Sequence, residues 1–180
     1  MKPLLALAVA LPLALAAVRG EAASLDPLFD SLINAEDRET ARTIAERVRA
    51  IWDRPDDPQV RRALQDGVTA LEAQEPEAAL DYLETAVEHA PDDAQAHFRR
   101  AQARFATEDS YGAMEDLATA VELEPRHFDA LTMVGTLYLM QGNETRAIEA
   151  FERALDVHPY HRSARAQRAT LQGPRGDGSL

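Results

Sequence analysis

Residues 131–159, LTMVGTLYLMQGNETRAIEAFERALDVHP, decide the fold once two fainter copies upstream are laid beside them. Pro159 follows Pro125 by 34 residues, and Pro125 follows Pro91 by the same step. That step also joins Gly67, Ala101 and Gly135; Ala79, Ala113 and Ala147; Leu83, Leu117 and Phe151; and Ala86, Ala120 and Ala154. Small residues recur where small ones stood, large apolar ones where large ones stood, and proline closes each unit. A period of this length marks an array of supersecondary units. No single unit can bury its own apolar face, so neighbours must stack and the ends must be covered.

Within each unit the apolar residues fall into two blocks at helical spacing. The spacing predicts helices over about 60–73 and 76–89, 94–107 and 110–123, and 128–141 and 144–157. Joined by turns of a few residues, the two helices of a unit must pack antiparallel. Pro76 suits a first helical turn, where its missing N–H would have been unpaired anyway. Gly142 and Asn143 tolerate the left-handed geometry of a tight turn. Gly67, Ala101 and Gly135 fall in mid-helix, where glycine costs about 1 kcal/mol against alanine. Close approach of two helices accounts for them, with Ala79, Ala113 and Ala147 as the expected facing surfaces. Leu83, Leu117 and Phe151 are expected to fill the gap between neighbouring units.

Gly135 with Tyr138 at i+3, Ala147 with Phe151 at i+4, and Pro159 at the close resemble the tetratricopeptide repeat family, and the likeness spans Val60 to His161. There are departures. Ala63, His97 and Leu131 stand where the family prefers Trp, and Asp66 and Arg100 where it prefers Leu. In the second copy Phe98, Ala101 and Phe105 offer a buried face on a slightly rotated helix. The resemblance implies an all-α fold in which antiparallel helix pairs stack as a right-handed solenoid, with units at 60–93, 94–127 and 128–161. It further implies a concave surface, lined by the first helix of each unit, that takes extended or helical peptides. The partner-binding residues expected on it are Leu64, Val68, Arg99, Gln102, Phe105, Thr132, Thr136, Leu139 and Met140. Leu71, Phe98 and Met133 border the same surface, with packing as the competing role for Leu71 and Phe98. Relatives that clamp a terminal carboxylate use Lys, Asn and Arg in this groove. Leu64, Val68, Arg99, Asp129 and Met133 hold those places here, so that clamp is not expected.

Flanking segments complete the organisation. Met1-Lys2 precedes an apolar run from Pro3 to Val18 that is closed by Arg19 and Gly20. A short basic start, a brief proline-interrupted apolar run and small residues after it describe a secretory signal. Export, with the periplasm of a bacterium as destination, is the expectation, with residues 1–23 as the signal and cleavage as early as Ala16. An uncleaved anchor holding a structural subunit of an envelope complex at the inner membrane is the alternative. Two helices are expected within 24–58. Ser24 or Asp26 caps the first, and the second starts near Asp37 with Ala41, Ile44, Ala45, Val48, Ile51 and Trp52 on one face. This pair does not keep the 34-residue register. It reads as a cap over the first unit's open face, or as a degenerate fourth repeat. Residues 162–172 read as a C-terminal capping helix, with Arg162, Arg165 and Arg168 on one side as solvation or as a basic patch. Residues 173–180 read as a flexible tail, where Arg175-Gly176-Asp177 is incidental.

Composition narrows the function. The chain has 180 residues, net charge −12 at pH 7 and no cysteine. Acidity argues against nucleic acid and anionic membrane as partners, and lack of cysteine removes disulfides, thiolate metal ligation and thiol nucleophiles. His127, His158 and His161 lack further ligands at metal-binding spacing. No serine lies in a nucleophile elbow, and no glycine-rich phosphate loop occurs. The carboxylates are expected on outer helix faces. These features predict a protein or peptide partner, with no enzyme activity, cofactor, metal, small-molecule substrate or membrane span in the mature chain.

Overall fold

The computed structural model describes residues 25–173; the expected signal, Ser24 and all but the first residue of the expected tail lie outside the described residues. Among the described residues there are nine helices and no strand. They are α1 (Asp26–Ile33), α2 (Arg38–Trp52), α3 (Pro58–Glu72), α4 (Pro76–His89), α5 (Ala94–Ala106), α6 (Ser110–Leu123), α7 (Phe128–Met140), α8 (Glu144–Val157) and α9 (Arg162–Leu171). Helices α3–α4, α5–α6 and α7–α8 form three stacked hairpins, and α9 packs on the last. None of the described helices is long and apolar enough to cross a membrane.

Local chemistry repeats with the period. Asp93, His127 and His161 cap α5, α7 and α9, each accepting the backbone N–H of the residue three further on. Imidazole replaces the usual carboxylate or hydroxyl in two of the three. Asp57 caps α3 ahead of Pro58 at the first turn, so that proline opens a helix instead of belonging to the linker. Asp26 is helical, and α1 has no side-chain cap. Each turn inside a hairpin carries one left-handed residue, Gln74 at φ 62°, Glu108 at φ 66° and Gly142 at φ 74°. Only the third is glycine; a non-glycine residue there costs about 1–2 kcal/mol.

The glycines work differently from the expected seam. A Cβ on Gly67 would lie 2.6 Å from Leu83 Cγ, and one on Gly135 would lie 2.5 Å from Phe151 Cε1. Leu83 and Phe151 thus enter notches in the first helix of their own hairpin, and they also share core clusters with the next element, Leu83 with Ala96 and Ala103 of α5 and Phe151 with Ala164 of α9. Ala79, Ala86, Ala113, Ala120, Ala147 and Ala154 are all fully buried beside them.

In the second unit the departures from the family pattern form one polar cluster. Asp116 on α6 is buried, receives Arg100 through Nε at 2.9 Å and an Nη at 2.6 Å, and meets Arg104 at 3.2 Å and His97 at 3.2 Å. Burial pushes its pKa up, but His97 and the arginines outweigh that and hold it below the usual range. Asp116 corrects the expectation that carboxylates lie on outer faces.

The N-terminal pair does not cover the first unit. Ala96 and Ala103 of α5, and Ala130 and Leu137 of α7, face the preceding hairpin and are buried. The equivalent α3 residues are Arg62 and Thr69. With polar side chains there, α3 needs no apolar cover, and the pair packs elsewhere. Phe29, Leu32, Ala41, Ala45, Val48 and Trp52 share a core cluster with Phe128 and Val157 of the third unit. At the other end Ala164 of α9 is fully buried against Leu131, Phe151 and Ala154. The arginines of α9 are not one patch: Arg165 and Arg168 border a cleft with Glu152 and Asp156, whereas Arg162 faces α2.

Candidate functional site

Helices α5 and α7, with the His127 cap, carry the side chains that seat α2. Its last turn is fixed first. Asp53 accepts from Arg99 at 2.9 and 3.0 Å and from the Gln95 amide at 2.6 Å. His127 Nδ1 accepts the Ala130 N–H, which puts the ring proton on Nε2 for donation to Gln95 Oε1 at 2.9 Å. Trp52 stacks on that imidazole at 4.2 Å and 13°, with Phe98 at 4.7 Å from the same ring. Burial lowers the His127 pKa to about 4, so the stacked ring is neutral at pH 7.

A second anchor lies three residues earlier on α2. Both ends of the Arg49 guanidinium donate to Asp129, at 2.6 and 2.9 Å, and His161 Nε2 donates to the same carboxylate at 3.1 Å. Burial raises the Asp129 pKa, but Arg49 and His161 outweigh it and hold the carboxyl far below its ordinary range. Arg49 also lies 5.0 Å from the centre of the Phe128 ring. Around the rim Arg126 donates to Asp26 at 2.7 Å, and the Tyr160 hydroxyl donates to the Glu36 carbonyl at 2.8 Å.

The expected groove residues therefore divide. Arg99 is engaged with Asp53, and Gln102 accepts from Arg99 at 3.1 Å. Thr132 is buried and donates to the Phe128 carbonyl, while Thr136 is bonded to Gln167 of α9. Leu64 is buried in the first unit's core, yet with Val68, Ala50, Asp53 and Arg54 it borders a cleft of about 420 Å³ between α3 and the end of α2. Phe105 and Leu139 are half-buried packing residues, and Met140 is 64% exposed. Leu64 and Val68 stay together at one end, the polar middle is filled by α2, and Leu139 and Met140 close α7. Of the two bordering residues assigned packing as an alternative, Phe98 is buried and Leu71 is packed on the first core.

Sequence reasoning missed Asp53, Gln95, His127 and Asp129 as the residues that seat α2. One signal was present: His127 and His161 share a register and precede helices, where a ring nitrogen can cap. Both nitrogens of each are engaged in protein hydrogen bonds. Among the described residues no group of three His, Asp or Glu is placed to hold a metal ion. The arrangement holds α2 through an aromatic anchor flanked by ion pairs.

Comparison with known proteins agrees with this architecture. A tetratricopeptide repeat family model matches residues 65–118 and 112–167. A TPR repeat-containing protein of Rhizobium etli is 33% identical over 143 residues, covering 79% of this chain and 70% of that protein. The crystal structure of MamA superposes with a TM-score of 0.59 at 24% identity, covering 79% of this chain and 81% of that one. The first TPR of Spaghetti (RPAP3), bound to an HSP90 peptide, gives 0.62 at 19% identity over 65% of this chain and 93% of that one. With three hairpins at the family's period and a family model spanning more than half its length, this chain belongs to the tetratricopeptide repeat family.

Proposed function

We propose that the chain is a non-enzymatic protein-interaction module, an adaptor or scaffold, that takes a protein or peptide partner along its concave surface beside α2. The seating of α2 carries the proposal. An amphipathic helix already lies across α5 and α7, held by one buried aromatic ring, the bidentate Arg49–Asp129 pair and the Arg99–Asp53 pair, in which one nitrogen meets both oxygens. The same inner surface extends past α2 to Val68 at one end and to Leu139 and Met140 at the other. An apolar surface with a few polar handles suits a helix or a peptide with apolar anchors, and methionine adapts its shape to either. The RPAP3 domain of the same fold is bound to a peptide, in keeping with this reading.

Export belongs to the same proposal: residues 1–23 direct the chain to the bacterial periplasm, and the partner is a cell-envelope protein. N-terminal sequencing of the protein from cells tests it. A first residue between about 17 and 24 supports export with cleavage; an intact Met1 refutes cleavage and favours the tethered alternative. For the groove, Met140→Glu places charge on the open surface and leaves the contacts of Arg99, Arg49 and Trp52 in place. Crosslinking with mass spectrometry in the native envelope should then lose the partners seen with the parent, while the far-UV circular dichroism is unchanged. An identical crosslink pattern rejects this surface.

A further inference from the structure

Between α2 and the turn that leads from α8 into α9 lies a cleft of about 750 Å³. Arg38, Arg42 and Arg49 line it from α2, and His158, His161 and Arg162 line it from the other side. No carboxylate is among its lining residues, although the chain as a whole carries a net charge of −12. Its cations are only partly answered. Arg49 and His161 share Asp129 beneath the cleft, and Arg42 makes exposed pairs with Glu39 and Glu46 at 3.7 and 3.3 Å. Such exposed pairs are weak. Arg38 and Arg162 make no ion pair among the described residues. His158 is 5% exposed, and its Nδ1 has no hydrogen-bond partner. Burial first, then His161 and Arg49, lower its pKa to about 4, in keeping with positive potential in the cleft wall.

We propose that this cleft docks an acidic segment of a protein partner, with carboxylates spaced along an extended peptide. Arg38, Arg42 and Arg49 stand at i, i+4 and i+11 on one face of α2. At 1.5 Å per residue they spread over about 16 Å, too far for one phosphate or one carboxylate to meet them all. Guanidinium forks match carboxylates edge-on, and they desolvate more readily than ammonium groups. The Tyr160 ring and Ala166 add apolar wall for the peptide's stem. Nucleic acid fits less well, because a long polyanion would also meet the acidic surface around the cleft. This site is separate from the open groove surface, and none of its residues is shared with the groove test.

The probe is a short fluorescein-labelled peptide of alternating Glu and Ala, titrated with the full chain by anisotropy at physiological ionic strength. Saturable binding is expected, with the matched Gln–Ala peptide much weaker. Arg38→Glu with Arg162→Glu should weaken binding by about tenfold or more, as attraction at two positions becomes repulsion. Both residues open helices, where an acid is tolerated by the helix dipole, so the fold is kept. Arg47→Glu, on the opposite side of α2, and Met140→Glu should bind as the parent does. Bound peptide should also raise the pKa of the His158 imidazole, read by NMR, as a nearby anion favours its protonated form. The proposal is overturned by absence of saturable binding, by equal affinity in the Arg38/Arg162 variant, or by an unmoved His158. Tighter binding of inorganic phosphate or a single-stranded oligonucleotide overturns it as well.

Discussion

Replacing Trp52 with alanine should unseat α1 and α2 without melting the array. Trp52 is 9% exposed and touches His127 at 4.2 Å, Phe128 at 5.2 Å and Phe29 at 6.0 Å between ring centres. Truncating so large a buried ring costs about 3–5 kcal/mol, and the slight exposure places this site toward the lower end. The whole loss falls on the docking of one helix pair, because stability in repeat arrays is carried by nearest neighbours. About 3 kcal/mol is a factor of roughly a hundred in the docked population. Freed from the array, a helix of α2's length is marginal in water. Native-state hydrogen exchange is the assay: α2 amides should lose about two orders of magnitude of protection, while α4, α6 and α8 keep theirs. Unchanged α2 protection would refute the docking geometry, and uniform loss across every helix would refute the separation of α2 from the stack.

Gly135→Ala should lower the melting temperature although alanine is the better helix former. Its Cβ would stand 2.5 Å from Phe151, a fully buried ring, and overpacking of that kind costs about 1–3 kcal/mol; a higher melting temperature would contradict the notch. Asp116→Asn leaves Arg100, Arg104 and His97 crowded without their counter-charge, and urea melts should show a loss of about 3 kcal/mol. Stability should also fall on acidification from pH 6.5 to about 4. The unfolded chain protonates His127 and His158 near 6.5 while the folded chain holds both neutral down to about 4. Their depressed values therefore contribute stability that is full above pH 6.5 and is lost as pH falls from 6.5 to about 4, about 3 kcal/mol for each ring. His127→Asn, which keeps a capping side chain, should flatten that slope in urea midpoints taken across the range; a slope equal to the parent's would contradict it.

The repeats were legible because their determinants are local and periodic. Pro91, Pro125 and Pro159 stop helices wherever they sit, and the bounds expected for α4, α6 and α8 match those found. Gly67 and Gly135 announced close approach, but the sequence does not say which residue approaches; Leu83 and Phe151 occupy the notches that alanines were expected to face. The position of α1 and α2 was not legible as a cap, since two facts had to be combined. Arg62 and Thr69 make the first unit's outer face polar, and Trp52, Arg49 and Asp53 have their complements in the middle of the array, 42 to 80 residues away. Pairing across that distance leaves no periodic trace. For the same reason the expected groove list mixed open residues such as Met140 with Arg99, whose charge was already matched by Asp53.

Where the N-terminal pair sits decides whether the groove's middle is filled or open, and crosslinking reads that directly. The chain has no cysteine, so paired substitutions can be labelled cleanly. Asp26→Cys with Arg126→Cys replaces an exposed pair whose side chains meet at 2.7 Å; Asp26→Cys with Arg62→Cys probes the outer face of the first unit. A short bis-maleimide should join 26 to 126 within one chain and leave 26 and 62 unlinked. Efficient linkage of 26 to 62, with none to 126, would put the pair over the first hairpin and empty the groove of α2.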